Sequence, residues 1–242
     1  MASVTIRPAS PADAPAMAAV HYRAQEKYHG FYGAFFVHSP RDILTQATAK
    51  AVRKPENVYL VAVEEEEKKV VGFVRYVVEE EKKEEEKQEE EEAVVDAGPS
   101  LFGVKEHLKE LWEEFNKKQV AMDGCYEKAA DGKRHVYVNH LMIDPEYQRR
   151  GIGGKLLAAA LERSDRERVP TFLMSSAESR GLYGKMGFEI LGTWRVDNGE
   201  WAGRVVDVER RMGIAGREGK GLEEEFRGVG EVEDVMVRRV RE

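Results

Sequence analysis

The sequence predicts an α/β fold, arranged as one domain over residues 1–242 with two insertions. Stretches of alternating apolar and polar residues, such as "SVTIRPA" and "RHVYVNHLMIDP", are typical of strands. Stretches with apolar residues three or four positions apart, such as "VKEHLKELWEEFNKKQVAM", are typical of helices. The two kinds alternate along the chain without an internal repeat or a clear domain boundary. A sheet covered by helices is therefore the expected architecture.

Composition and charge limit the class of protein. Of the 242 residues 34% are charged, and the formal net charge is −7, so we expect no nucleic-acid partner. Cys125 is the single cysteine, which excludes an internal disulfide, and no Cys/His cluster has metal-ligand spacing. The first residues lack the apolar core of a signal peptide, and no apolar run approaches the ~20 residues of a membrane span. We expect a cytoplasmic protein, with the nucleus as the alternative, and neither a membrane partner nor a metal site.

The first elements follow in a simple order. "SVTIRPA" predicts a strand, and Ser10 and Pro11 then fit the cap and first position of a helix. The aromatic, glycine-bearing segment 30–36, "GFYGAFF", is interpreted as a loop, and "SPRDILTQATAKAVRK" as a second helix. A hairpin is predicted next, with strands over 58–63 and 70–78 joined by the solvated turn "EEEEKK".

Two segments are interpreted as insertions. The run "EEEKKEEEKQEEEE" has no apolar residue to bury, so we predict a low-complexity insertion at about 79–98, either disordered or a charged helix. A solvated segment is the simpler interpretation, and recognition of a basic partner is the alternative. Near the C-terminus, "RVVDVERRM" and "EDVMVRRV" both resemble strands. We expect residues 234–240 to close the sheet, with a second insertion at about 203–232.

Between these insertions the elements are clear. After the helix that contains Trp112, the sequence predicts the strand "RHVYVNHLMIDP", a helix from "GIGGKLLAAALERSDRER" and the buried strand "PTFLMSS". A short helix, "AESRGLYGKMG", ends at Gly187, and "FEILGTW" is the next strand.

The junction "DPEYQRRGIGGKLL", residues 144–157, has the features of an anion site. The first N–H groups of a helix have no partner within the helix, and the helix dipole places positive potential there. Glycines allow a phosphate to approach the backbone, and the guanidinium groups of Arg149 and Arg150 suit phosphate oxygens. Tight packing of the helix on the strand is the alternative explanation for the glycines.

Two common phosphate loops do not fit this junction. The Walker pattern would place Arg149 at its first glycine and Leu156 where Ser or Thr is required. The dinucleotide pattern G-x-G-x-x-G would place Leu156 at its third glycine. The loop therefore belongs to another class.

The run "QRRGIG" from Gln148 to Gly153 matches Q-x-x-G-x-G/A, and thereby resembles the acyl-CoA pyrophosphate loop of the GNAT superfamily of N-acetyltransferases. Further on, "GLYGKMGFE" resembles the family segment LYxKxGF. The resemblance is close from His135 to Trp194 and weaker from Val4 to Val78, and it omits the acidic segment and the residues after 201. It implies an α/β fold with a mixed, mostly antiparallel central sheet, flanked by helices, and a splay between the two central strands.

The resemblance also implies acetyl-CoA (coenzyme A) as the cofactor. Backbone N–H groups of the loop would hold the pyrophosphate, and the strand before it would pair with the pantetheine arm as an added strand would. Many family members have an asparagine near the position of Ser176, so the contact there is altered in this chain. The expected cofactor-binding residues are Leu141, Met142, Ile143, Gln148, Arg149, Arg150, Gly151, Ile152, Gly153, Gly154, Lys155, Ser176 and Tyr183.

Two residues are candidates for proton transfer. Tyr183 matches the family tyrosine that protonates the departing thiolate, and a packed aromatic beside the cofactor is the alternative. His140 is the best-placed general base, because it lies on the central strand and free imidazole titrates near pH 7. A structural histidine is the alternative, and Asp144 and Glu178 are weaker candidates.

Acceptor selection is expected in the N-terminal helices and their loop. Phe31, Tyr32 and Phe35 either line the acceptor site or pack on the sheet, and Trp194 and Trp201 are candidates for its far wall. The predicted activity is transfer of acetyl to a primary amine, on a small molecule or a peptide, by direct attack in a ternary complex. The alternative is a catalytically degenerate acyl-CoA-binding sensor or interaction domain. A monomer or homodimer is expected.

Overall fold

A seven-stranded sheet forms the centre of the protein. The structure, a computed structural model, describes residues 3–82, 103–214 and 221–240. The strands are β1 Val4–Pro8, β2 Val58–Glu64, β3 Val70–Glu79, β4 His135–Ile143, β5 Thr171–Ser176, β6 Glu189–Asp197 and β7 Gly230–Arg238. Their order in the sheet is β1-β2-β3-β4-β5-β7-β6. None of the helices in the described ranges has the length and apolar character that a bilayer span requires.

Strand pairing confirms the predicted mixed, mostly antiparallel sheet. All neighbours are antiparallel except β4 and β5, which run parallel. The parallel ladder joins residues 136–138 of β4 to 171–173 of β5 and then stops, although both strands continue. The two central strands therefore diverge toward their C-terminal ends, as the predicted splay requires.

Eight helices flank the sheet within the described residues, besides short 3-10 turns. They are α1 Ala14–Ala24, α2 His29–Phe35, α3 Pro40–Ala51, α4 Lys109–Ala130, α5 Ile152–Glu167, α6 Arg180–Lys185, α7 Asn198–Arg211 and α8 Leu222–Glu225. The fold prediction of a helix-flanked α/β sheet is confirmed.

The helices lie on both faces of the sheet. Successive residues of a strand point to opposite faces, and Val61 packs with α1 while Ala62 packs with α5. On the α5 face, Leu156, Leu157 and Tyr183 belong to one buried cluster with β3, β4 and β5. The opposite face carries α1, α2, α4 and α7. The splay between β4 and β5 opens between these two helix layers.

The predicted loop at 30–36 is wrong, because this segment forms α2. Its two glycines suggested a turn, yet Phe31 and Phe35 lie four residues apart and share one helix face. Both side chains are fully buried against Phe115 of α4. Aromatic packing therefore outweighs the low helix propensity of glycine.

The C-terminal prediction is partly wrong. Segment 204–212, interpreted as a strand, lies almost wholly in α7, where Ala202 and Val205 are buried at helical spacing. The side chain of Asp197 accepts a hydrogen bond from the backbone of Glu200 at 3.1 Å and caps this helix. The closing strand is present but begins at Gly230, four residues before its predicted start, and lies between β5 and β6. Most of the acidic segment lies outside the described residues, which end at Lys82 and resume at Gly103.

Candidate active site

The glycine-rich loop connects β4 to α5 through a tight turn. Asp144 caps a short 3-10 turn over Pro145–Tyr147, and its carboxylate accepts from the backbone of Glu146 at 3.3 Å. Arg149 and Gly151 then adopt positive φ values of 58° and 78°. Two left-handed residues so close together turn the chain sharply, so that successive backbone N–H groups point out of the loop before α5 begins.

No described residue accepts a hydrogen bond from these N–H groups. The first bond of α5 runs from Lys155 N to Gly151 O, at 3.2 Å. Within the described residues, the amides of Arg149, Arg150, Gly151, Ile152, Gly153 and Gly154 donate no hydrogen bond. A Cβ built on Gly151 would have no atom within 4 Å, so the space before the loop is open. An anion with several oxygens satisfies such donors.

Side chains around the loop supply positive charge. Gln148 donates from Nε2 to the Ile143 carbonyl at 3.1 Å, which holds the loop against the end of β4. Arg150 donates to the Glu146 carbonyl at 2.6 Å and lies over the Tyr147 ring. Arg149 and Lys155 are exposed to solvent. The loop thus combines oriented amides with nearby cations, which is the donor set a pyrophosphate needs.

The end of β4 has one free edge in the splay. Residues 141–143, which are Leu141, Met142 and Ile143, pair with β3 on one side, but no ladder of the described residues covers their other side. A bulge at Asn139 marks the place where β4 leaves β5. The amide oxygen of Asn139 is buried, and no described residue forms a hydrogen bond with it. Free backbone groups and an orphaned acceptor fit a ligand arm that carries amide groups.

Tyr183 lies on the same face as α5. It belongs to α6 and is 5% exposed, with its ring edge-to-face on Phe188. Burial raises the pKa of the Tyr183 phenol, which therefore stays protonated. The described residues offer its hydroxyl no hydrogen bond. A neutral O–H is thus available as a donor.

His140 faces the opposite helix layer and pairs with His21 of α1. Their ring centroids are 4.8 Å apart. Burial, and then the neighbouring His21, lowers the pKa of His140 to about 3. Burial also lowers the pKa of His21 to about 4. Both imidazoles are neutral near pH 7, and the described residues give neither ring a hydrogen-bond partner.

The predicted acceptor residues take different positions. Phe31 and Phe35 are fully buried, so their role in this structure is packing. The Tyr32 hydroxyl donates weakly to Glu231 of β7, at 3.3 and 3.4 Å from the two carboxylate oxygens. The Trp201 ring packs edge-to-face on Phe115 at 5.2 Å. Arg204 lies over the Trp201 ring at 4.3 Å from its centroid, so among these aromatic residues Tyr32 is the one that contacts a carboxylate.

The remaining candidates lie near the end of β5. Ser176, its last residue, is exposed, and its hydroxyl is 3.5 Å from that of Ser179. Glu178 forms an ion pair with Lys27, which lowers the pKa of Glu178. Asp144 is fully buried and held by Arg23 at 2.6 Å, so its role is structural. In the described ranges, no group of three His, Cys, Asp or Glu side chains is placed to hold a metal.

Sequence reasoning missed four residues near these candidates: His21, Asn139, Glu231 and Glu233. The alternation in "GEVEDVMV" could have placed Glu231 and Glu233 on one face of a strand. No local signal identifies His21 or Asn139, because a helix contact and a bulge depend on tertiary packing.

A family model and several solved structures match this chain. A family model for the acetyltransferase (GNAT) family matches residues 21–188, whereas no curated protein sequence matches significantly. Among solved structures, arylalkylamine N-acetyltransferase 2 from Aedes aegypti has a TM-score of 0.58 at 13% identity and covers 99% of this chain and 100% of its own. A mosquito arylalkylamine N-acetyltransferase like 5b gives 0.55 at 16% identity, covering 97% and 99%. The Drosophila melanogaster polyamine N-acetyltransferase gives 0.54 at 16% identity, covering 98% and 100%. At these identities the structures demonstrate a shared fold.

Proposed function

The chain belongs to the GNAT acetyltransferase family, and we propose that it transfers acetyl from acetyl-CoA to a primary amine by direct attack in a ternary complex. The observation that carries this proposal is the row of unpaired amides from Arg149 to Gly154 beside the splay of β4 and β5. The acceptor is a small-molecule or peptide amine, and the expected compartment is the cytoplasm. The mosquito and Drosophila proteins with the same fold are named for amine acetylation, which supports an amine here.

The binding roles follow from the donor groups. The loop amides, with Arg149, Arg150 and Lys155, hold the pyrophosphate. The free edge of β4 at Leu141, Met142 and Ile143 pairs with the pantetheine arm, and Gln148 keeps that edge and the loop together. When bound, acetyl-CoA supplies an activated thioester carbonyl at the splay. Ser176 lies at the end of β5, on the other side of this opening.

Tyr183 is the proposed proton donor to the departing sulfur. A general acid must carry its proton at working pH, and burial keeps this phenol protonated. A raised pKa weakens a free acid, but a low-dielectric site also makes a leaving thiolate more basic. The pKa values of the Tyr183 phenol and of the leaving thiol therefore rise together, so the free energy of proton transfer between them changes little.

His140 is the proposed proton acceptor, in a limited role. Its lowered pKa means that the ring is neutral and its lone pair is free, but also that it is too weak a base to deprotonate a free ammonium ion. As the amine nitrogen bonds to carbon it becomes strongly acidic, and a weak base then suffices. We therefore place His140 after the attack, with the amine entering in its neutral form.

The first experiment is calorimetric titration of the protein with acetyl-CoA, with Gly151→Val as the test variant. A β-branched residue is strained at φ 78° and fills the open space before the loop. We expect binding by the wild type and a loss of at least ~100-fold in the variant. Gly213→Val is the matched control, since Gly213 also has a positive φ, 68°, with no atom within 4 Å of a built Cβ. Equal loss in both variants would contradict the loop assignment.

Release of free thiol in the presence of an amine panel separates binding from catalysis. Tyr183→Phe should retain acetyl-CoA binding and lower kcat by roughly 10²–10⁴. Tyr126→Phe is the control, because it also removes a tyrosine hydroxyl, a partly buried one that is bonded to His135 at the start of β4, at the opposite end of the strand from the loop, at 2.6 Å. Binding without thiol release across the panel would instead favour a catalytically degenerate acyl-CoA-binding domain.

A further inference from the structure

Glu231 of β7 is a buried carboxylate without an ion-pair partner. Its residue is 9% exposed, and no lysine, arginine or histidine of the described residues forms an ion pair with it. Its partners are neutral donors: Asn198 Nδ2 at 2.5 Å and the Tyr32 hydroxyl at 3.3 Å. Burial raises the pKa of Glu231. An unpaired charge in a protein interior is costly, so a cation that pairs with this carboxylate would be stabilising.

The neighbouring carboxylates do have cations. Glu233, two residues along β7, pairs with Lys118 of α4 at 2.8 Å, and Glu178 pairs with Lys27. Among these three carboxylates of the described residues, Glu231 is therefore the one without a direct ion pair, and it shares the field of Lys118 with Glu233. One additional positive charge would complete the set.

A second observation concerns Asn198, the first residue of α7. Asn198 is 0% exposed and its amide nitrogen donates to Glu231, but its Oδ1 is buried and has no hydrogen-bond partner among the described residues. A buried acceptor without a donor is rare and costs about 1–3 kcal/mol. Asn198 Oδ1 thus lacks a donor, and the adjacent Glu231 carboxylate lacks an ion-pair partner. An ammonium group has three N–H donors and one positive charge, and it satisfies both needs.

Glu231 and Asn198 lie on the same face of the sheet as His140, the proposed proton acceptor. Glu233 lies opposite Ser176, the last residue of β5, and Glu231 follows two residues further on the same face. His140 lies on the same face of the sheet. His21 of α1 packs on His140, Tyr32 of α2 contacts Glu231, and Lys118 of α4 contacts Glu233. The helices α1, α2 and α4 all belong to the layer on this face. Two strand spacings of ~4.8 Å and about three residues of ~3.4 Å separate the backbones of Glu231 and His140, or roughly 14 Å as a minimum, because β4 and β5 diverge at this level. The pair is therefore too far away to receive the reacting nitrogen itself.

We propose that Glu231 and Asn198, with the hydroxyl of Tyr32, bind a second ammonium group of the acceptor, so that the substrate class is an aliphatic diamine or polyamine. This inference rests on the proposed function and specifies its acceptor. The reacting amine lies at the splay in its neutral form, while the distal amine stays protonated and pairs with Glu231. Specificity then comes from the buried pair, because a monoamine of the same length leaves Glu231 without a cation and Asn198 Oδ1 without a donor.

The test compares hexamethylenediamine with hexylamine, which differ by the distal amino group alone. With acetyl-CoA saturating, we expect wild-type kcat/KM to favour the diamine by at least about tenfold. Glu231→Gln should reduce this preference to about twofold or less, mainly by raising KM for the diamine. Glu189→Gln, a carboxylate-to-amide change at an exposed residue of β6, should retain the full preference. Thermal unfolding and acetyl-CoA titration of each variant report whether the fold and the loop are intact.

The outcomes separate the two proposals. Equal kcat/KM for diamine and monoamine in the wild type, or a preference that survives Glu231→Gln, overturns the ammonium subsite while the acetyltransferase function stands. Equal kcat/KM in the wild type would overturn the subsite even if Glu231→Gln does not fold. If no amine is acetylated, the proposed function fails, and calorimetric titration of hexamethylenediamine in the presence of coenzyme A still tests the subsite. Binding that requires Glu231 supports it, and no binding overturns it.

Discussion

At the scale of single residues, burial sets the chemistry of the facing histidines. His21 and His140 lie with ring centroids 4.8 Å apart and share a water-poor space between α1 and β4. Protonating either ring would place a charge in this space, next to Arg75 in the case of His140 and next to His29 in the case of His21. Both histidines therefore stay neutral, which keeps a lone pair available at His140 but makes the folded state sensitive to acid.

We predict that stability falls as the pH drops from about 7 to 5. The folded-state pKa of His21 is lowered from 6.5 to about 4, so the unfolded chain takes up a proton that the folded chain does not. By linkage, unfolding becomes more favourable as pH falls through 6.5, and the loss levels off below the folded-state value. Over this range each histidine contributes roughly 1–2 kcal/mol. His21→Phe keeps the ring contact with Phe73 and should lose less stability between the two pH values, as measured by urea denaturation.

His38→Phe is the control for this experiment, because its side chain is exposed and should leave the pH dependence of the wild type unchanged. An identical pH dependence in His21→Phe and wild type would show that the buried pair does not govern acid sensitivity.

At the scale of elements, one ion pair connects α1, in the helix layer that carries the proposed acceptor site, to the glycine-rich loop after β4. Arg23, near the end of α1, donates from Nε and Nη2 to Asp144 at 3.1 and 2.6 Å. The Asp144 backbone donates to Val71 of β3 at 2.9 Å, and its carboxylate caps the turn that begins the loop. The helix, the strand and the loop are thereby fixed to one another. A change in the position of α1 would alter the direction of the loop amides.

Arg23→Gln should destabilise the protein and weaken acetyl-CoA binding together. Removing the guanidinium leaves Asp144 buried without its main partner, and we expect a loss of ~2 kcal/mol, reduced from the fully buried case because Arg23 is partly solvated. Chemical denaturation and acetyl-CoA titration measure the two effects. Lys68→Gln removes an exposed ion pair with Glu65 at 2.9 Å and should change neither by more than about 0.5 kcal/mol. Full acetyl-CoA affinity in Arg23→Gln would argue that the loop holds its shape without α1.

At the scale of the whole molecule, the C-terminal segment joins two regions that are distant in sequence. Phe226, which follows α8, is 1% exposed and packs on Phe31 of α2 with centroids 5.7 Å apart. Asn198 and Glu231, at the two ends of the segment that carries α7 and α8, are joined by a hydrogen bond. The segment between β6 and β7 thus packs against the aromatic core beneath the proposed ammonium subsite.

Phe226→Ala should destabilise the protein by about 3–5 kcal/mol, the usual cost of emptying a buried phenylalanine site. Because the segment supports the acceptor side and not the loop, we expect a higher KM for the amine and an unchanged affinity for acetyl-CoA. Denaturant unfolding and steady-state kinetics measure these effects. Met212→Ala, at a side chain that is 60% exposed, should leave both unchanged. A loss of acetyl-CoA binding that matches the loss of amine binding would show that the two sites are not separate.

The sequence by itself determined the local features of this protein. Some elements depend only on residues close together in the chain. These are the strands with period-two alternation, the β2–β3 hairpin and the helix from Ile152, and their predictions are confirmed. The glycine loop was readable for the same reason, since residues 148–154 form a single turn and helix start. The tyrosine segment at 181–189 added enough to predict the family.

Only the tertiary structure decided the rest. Segments 29–35 and 198–211 are helical because aromatic and aliphatic side chains from α4 and β6 bury them, which overrides local propensity and an ambiguous apolar pattern. The neutral state of His140 depends on His21, and the unmatched charge of Glu231 depends on Asn198, 33 residues away in sequence. Burial and charge compensation result from packing between distant segments, and no local pattern encodes them.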